Sequence, residues 1–183
     1  LINGIPDSSV DVAYDTGDSI SDFSFRDTQD LSDLAGSTVG VTFTDSAADE
    51  TLLEADELAL PSSGNVSVLL HLKVDGSPSL SIFENDLSRV DAGGSRLVIR
   101  HLAAAPPVDV LAAGEIVFEG LGNGQERSAD LDVSKAGPTT LDAGGVAPRV
   151  AVELEHAPRR SEARPRRAYT VHCGAVVVRC PTI

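Results

Sequence analysis

Apolar positions along this chain alternate with polar ones or gather in short β-branched runs, and turn residues interrupt them every ~8–12 positions. Val10-Asp-Val-Ala-Tyr14 predicts a strand closed by an Asp-Thr-Gly-Asp turn, and Asp22–Phe25 alternates with period two. Thr38–Thr44 places Val39, Val41 and Phe43 on one face. Asn65–Leu72 predicts the strongest strand, and Asp75-Gly76 supplies a hairpin turn into Ser79–Phe83. Ser95–His101, Ile116–Phe118 and Leu131–Val133 predict further strands. The stretch Asp45–Leu60 has two readings. It either carries a helical turn around Asp49–Leu58, or Leu52, Leu53, Leu58 and Leu60 flank a strand. Many short strands at this spacing predict an all-β chain of immunoglobulin-like antiparallel β-sandwich modules.

One phrase occurs twice. It reads Ile2-Asn-Gly-Ile-Pro-Asp-Ser-Ser-Val-Asp-Val12 and then Ile99-Arg-His-Leu-Ala-Ala-Ala-Pro-Pro-Val-Asp-Val110. Asn3 and His101 each stand seven residues before the first Val of a Val-Asp-Val, and Val10 and Val108 are 98 residues apart. That spacing is domain-sized, not solenoid-sized. It predicts modules in tandem: a first over residues 1–91, a short Ala92–Ser95 linker, a second over 96–148, and an atypical Arg/Pro-rich tail over 149–183.

The phrase around His101, followed by Gly114 and Val117–Leu121, resembles the secreted bacterial and archaeal family catalogued as domain of unknown function 4397. Gly64–Leu72 and the Asp75–Phe83 hairpin fit later strands of the same module, and the resemblance covers about residues 1–135. It implies exported, envelope-associated β-sandwich modules, often in tandem, placed in the medium or at the cell surface. It implies no catalytic residues. After Asp132 the chain departs from that pattern into Ala136–Gly145, the Arg-rich tract Ala157–Arg167 and Tyr169–Cys173. A frame change in a GC-rich gene or a diverged tail produces such a break, and on the frame-change reading the second module lacks its closing strands and has unpaired edges. The chain opens at Leu1 and holds no Met, so the expected gene product begins earlier.

Charge sharpens this picture. Residues 1–148 carry 25 Asp/Glu against 7 Lys/Arg, whereas 149–183 carry 3 Glu against 7 Arg. So acidic a body argues against a nucleic-acid backbone as partner. It fits either a high-salt organism or an exported protein of a GC-rich genome. No apolar run approaches the ~18 residues that cross a bilayer. Cys173 and Cys180, with six residues between them, suit a small hairpin closed by a disulfide or two unrelated thiols.

Candidate chemistry is sparse. His71 and His101, with Asp11 or Asp109 near, have the residue types of a metal pair or acid–base pair. The competing reading makes them hydrogen-bonded structural residues, and Asn3 at the place of His101 favours it. Asp11 and Asp109 point away from the face their Val neighbours bury, which suits turn hydrogen bonding. Asp15, Asp18 and Asp22 raise the question of calcium, and so do Asp27, Asp30 and Asp33. Neither cluster has the spacing of a calcium loop, and solvated acids are the simpler reading. Asn65-Val-Ser67 is an N-glycosylation sequon. No nucleophile elbow or phosphate-cradling loop occurs. The expectation is a non-enzymatic envelope protein without cofactor, which displays loops to a protein or glycan. The alternative is a small-ligand module, or one binding calcium or zinc.

Overall fold

Alternation becomes pairing wherever the sequence places it most regularly. In the computed structural model, β1 (Ile2–Asn3), β2 (Ser9–Tyr14), β3 (Ser19–Ser24), β4 (Thr38–Asp45), β5 (Thr51–Ala59), β6 (Val66–Leu72) and β7 (Pro78–Glu84) follow one another, with a single 3₁₀ turn at Ser32–Leu34. The structure describes residues 1–92, 94–112 and 115–132, and beyond them only the strand paths Thr140–Gly144, Val152–Glu153, Tyr169–Cys173 and Val176–Cys180. The chain is all-β. It divides into two compact units, Leu1–Asp86 and Leu87–Ile183. The boundary therefore falls before the expected linker, and Gly94 and Ser95 already belong to a strand.

In the first unit two sheets enclose one core. One has the order β3-β2-β4-β5, all antiparallel; the other has β1-β6-β7, with β1 parallel to β6. Val10, Val12 and Tyr14 of β2 are buried, as are Val39, Val41 and Phe43 of β4, as period two requires. Val68 and Leu70 of β6 pack into the same cluster, with Leu1, Ile5, Phe23, Leu58 and Leu60. The ambiguous Asp49–Leu58 stretch is strand β5, not a helical turn. It pairs with β4 from Thr51 to Ala59.

The alternation expected over Asp22–Phe25 holds in burial, with Phe23 buried between exposed Asp22 and Ser24 and Phe25 half-buried, but it does not run back to Ile20. β3 ends at Ser24, and its register against β2 shifts between Val10↔Phe23 and Val12↔Ile20. The extra residue lets Ile20 and Phe23, three positions apart, both meet the core.

The second unit contains β8 (Gly94–His101), β9 (Val108–Ala112), β10 (Glu115–Leu121), β11 (Gln125–Asp132), β12 (Thr140–Gly144), β13 (Val152–Glu153), β14 (Tyr169–Cys173) and β15 (Val176–Cys180). Its sheets have the orders β10-β9-β12-β13 and β11-β8-β15-β14. The first of these repeats the order β3-β2-β4-β5. β12 and β13 extend one of these sheets, and β14 and β15 the other. One difference remains. β15 runs antiparallel to β8, whereas β6 runs parallel to β1. Leu97, Ile99, Leu102, Val110 and Leu121 are buried. The Arg159–Arg167 tract, His156 and Gly114 lie outside the described residues.

Candidate functional site

The two Val-Asp-Val phrases do the same local work. Asp11 lies on β2 with its flanking valines turned to the core, so its carboxylate emerges on the opposite face beside β3. Its Oδ1 accepts the backbone N–H of Asp22 at 2.9 Å and the Ser46 hydroxyl at 2.7 Å. Asp22 is the irregular residue of β3, with φ +54°. On β9, Asp109 Oδ1 accepts the backbone N–H of Gly120 at 2.8 Å. Gly120 has φ +62° and stands at a register shift between β9 and β10. In each unit, then, a carboxylate captures the amide that a β-bulge takes out of the ladder, eleven residues downstream. The Asp22 amide foremost, and then the Ser46 hydroxyl, hold the Asp11 carboxyl below its ordinary range.

Asn3 and His101 also share an environment. Both are buried. Asn3 Nδ2 donates to the Phe23 carbonyl at 2.8 Å and to the Ser8 carbonyl at 3.4 Å, while its Oδ1 accepts the Ile5 amide at 3.0 Å. His101 Nε2 donates to the Pro106 carbonyl at 3.1 Å, five residues on, as Ser8 is from Asn3. The Asn3 carbonyl accepts the Arg26 amide, and the His101 carbonyl accepts the Gly124 amide, each 23 residues downstream. Arg26 and Gly124 both have φ +74°. Glycine adopts that conformation freely; Arg26 holds it against its Cβ, with its guanidinium 4.8 Å from the Phe25 ring. Since a carbonyl can only accept, His101 donates from Nε2, and in the neutral ring Nδ1 is then an acceptor. That buried atom has no hydrogen-bond partner among the described residues, and the same holds for the Tyr14 hydroxyl.

His71 belongs to the first unit and is held by other groups. Nδ1 lies 3.1 Å from the Leu72 carbonyl and Nε2 2.9 Å from the Ser81 hydroxyl, so both ring nitrogens are engaged. Burial is the main reason its pKa falls below 6.5, with the Lys73 charge adding to it and the Leu72 hydrogen bond opposing it. The unfolded chain therefore binds this proton first as pH drops. Stability present above pH 6.5 should decline as pH falls through the lower folded value. Melting temperatures followed downward from neutral pH should show that decline, and His71→Gln should flatten it.

The acidic candidates do not converge. Asp15 and Asp18 lie in the β2–β3 turn, where Asp18 accepts the Thr16 hydroxyl at 3.3 Å. Asp22 stands further along the hairpin, opposite Asp11. Asp27 caps the Ser24 amide, and Asp30 caps Ser32 through both its amide and its hydroxyl. Asp33 lies in the 3₁₀ turn. Among the described residues no three His, Cys, Asp or Glu side chains gather as a metal ion requires. Asn65 is exposed at the start of β6, and its Oδ1 accepts from Asn85 at 2.6 Å. The register of β14 and β15 sets Cys173 opposite Val176 and Cys180 opposite Tyr169, at opposite ends of the hairpin.

Two ion pairs escaped the sequence reading. Arg96 and Arg100 lie on one face of β8, directly across from Asp130 and Glu126 of β11. Arg96 Nε and Nη2 meet the two Asp130 oxygens at 2.8 and 3.1 Å. Arg100 Nε lies 2.6 Å from Glu126 Oε2, with only 2% of its side chain exposed. The available signal was period two across β8 and β11 with opposite charges in phase.

These groups hold loops in place. The Ala103–Pro107 loop is tied at Pro106 by His101 and at Ala103 by Asn123 Nδ2, at 2.6 Å, while Ala104, Pro106 and Pro107 are exposed. The β2–β3 turn is tied by Tyr14 to Asp18 and by Asp15 to Gly40 through the backbone, while Asp15, Thr16, Gly17 and Asp18 are exposed. No helix among the described residues is long and apolar enough to cross a membrane. The family described as Domain of unknown function (DUF4397) matches residues 1–111. Neither a curated protein nor a solved structure matches the chain.

Proposed function

The chain belongs to the DUF4397 family, and on that premise we propose that it is a non-enzymatic exported protein of the cell envelope. It is built of tandem β-sandwich modules that display loops to a protein or glycan. The observation that carries the tandem reading is the recurrence of one device at one offset. The Asp-held bulge and the buried Asn or His tie occur at Asp11 and Asn3, then at Asp109 and His101. The display reading is supported by loops whose bases are hydrogen-bonded and whose tips are exposed. Such loops lose little conformational entropy on capture, which is how a rigid scaffold supports recognition.

The test is capture by isolated cell envelopes. Replacing Thr16 and Asp18 by alanine, or Ala104 by Lys, should weaken capture about tenfold and leave the melting temperature nearly unchanged. Unchanged capture contradicts display by these loops.

One observation favours a second reading, a ligand or metal site at His101. Its Nε2–H bonds a backbone carbonyl and its Nδ1 lone pair is buried and free of a described partner, the arrangement seen in metal-ligating histidines. Calorimetric titration of the full chain with zinc and with calcium separates the two readings. Display expects only dilution heat; saturable zinc binding that disappears in His101→Asn supports the metal module instead.

A further inference from the structure

The first unit treats its long edge strands unequally. β3 is an edge broken by the Asp22 bulge, and β5 is an edge with two register shifts that carries Glu54, Asp56 and Glu57. Bulges and charges are the ordinary means by which an open strand is kept from pairing with another chain. β7 has neither. Its seven pairs with β6, from Val66↔Glu84 to Leu72↔Pro78, run without a shift, and no charged side chain occurs before Glu84.

The ladder fixes which backbone groups of β7 face away from β6. The Asn85 amide donates to the Asn65 carbonyl and the Lys73 amide to the Ser77 carbonyl. Bonded pairs alternate in an antiparallel ladder, so Phe83, Ser81 and Ser79 bond to β6. Leu80 and Ile82 then turn their N–H and C=O groups to the side on which no described strand pairs with β7. Apolar side chains are exposed in the same stretch. Ile82 (42%) lies on β7 itself, and Val74 (56%) lies in the turn before it.

We propose that β7 is a self-association edge, on which β7 of a second copy of this chain adds antiparallel across a two-fold axis. The occupant follows from the strand itself. Pro78 to Phe83 offers no charge with which to select an acidic or basic partner. The order Leu80-Ser81-Ile82 is nearly symmetric about Ser81. Two antiparallel copies in that register set Leu80 opposite Ile82 and Ser81 opposite Ser81, and the outward N–H and C=O groups of Leu80 and Ile82 bond reciprocally. Leu80 and Ile82 share the face that pairs with Leu70 and Val68, so the joined sheets continue one apolar surface. A single strand pair is a small interface, and the dimer is weak and reversible. Residues 1–86 carry 17 Asp/Glu against 2 Lys/Arg, so the two copies repel at a distance. Added salt screens that repulsion and strengthens the dimer, the opposite of an ion-paired interface.

Sedimentation equilibrium of the full chain should give a mass that rises with protein and salt concentration from 19.0 kDa toward twice that value. Ile82→Lys should return it to the monomer at every concentration while the melting temperature stays nearly unchanged, because the lysine stem still covers its neighbours. Amide exchange at Leu80 and Ile82 should slow as concentration rises, while Ser81, already bonded to β6, should not change. A mass that stays at the monomer value overturns the proposal. A dimer that survives Ile82→Lys, or one that leaves the Leu80 and Ile82 amides unprotected, overturns it equally.

Discussion

Replacing Glu126 with alanine should destabilise the second unit by about 3 kcal/mol. The Arg100 side chain is 2% exposed, and the Glu126 carboxylate lies 2.6 Å from its Nε. Removing the acid strips one partner from a cation held where water is largely excluded. Breaking a buried pair in this way typically costs about 3–5 kcal/mol. The lower figure applies because Glu126 is itself 28% exposed and the gap it leaves admits solvent. Hydrogen exchange on the amides of β8 should accelerate ~100-fold, which is that free energy read at about 1.4 kcal/mol per factor of ten. Arg100→Met combined with Glu126→Leu should recover most of the loss, since the penalty comes from the buried charge and not from missing contacts. A Glu126→Ala variant that keeps its full β8 protection would refute this account.

Asn3→Ala should cost the first unit about 3 kcal/mol. Asn3 is fully buried and joins three segments: the Ile5 amide, the Phe23 carbonyl and the Ser8 carbonyl. Alanine leaves a buried donor and a buried acceptor unpaired, and each such group costs ~1–3 kcal/mol. A domain of this size should then melt on the order of 15 °C lower. At the corresponding place in the second unit, His101→Asn should be milder than His101→Ala. An asparagine there can still reach a neighbouring carbonyl, as Asn3 does. Equal losses for the two His101 variants would break the correspondence between Asn3 and His101.

Much of the fold was legible in the sequence. Val39, Val41 and Phe43 alternate cleanly, and β4 buries all three. The Asp75-Gly76 turn stands between β6 and β7, with Gly76 at φ +84°. Where two physical signals competed, pattern alone could not decide. Leu52, Leu53 and Leu58 suit either period, and pairing with β4 made that segment a strand. The Asp22–Phe25 alternation holds in burial but does not extend back to Ile20, because a bulge resets the phase of a strand without changing its composition. The expected linker at Ala92–Ser95 was read from its glycines, yet Gly94 opens β8 opposite Asp132. Glycine marks permissive backbone, and a neighbouring strand can still recruit it.

The candidate residues divide in the same way. By itself the sequence determined that this is an all-β chain, that the Val-Asp-Val phrase recurs, and that Asp11 and Asp109 stand off the apolar face. Those properties follow from period two and from local spacing, which any short window contains. Only the tertiary structure decided what each polar group bonds. Asp11 reaches Asp22 and Ser46, eleven and 35 residues away. Asn3 reaches Phe23, Arg100 meets Glu126, and the ring of His71 bonds Ser81. Each of these partners is brought into range by strand register, which depends on how whole sheets pair. A buried polar side chain must be satisfied by something, and a sequence states the need without naming the partner.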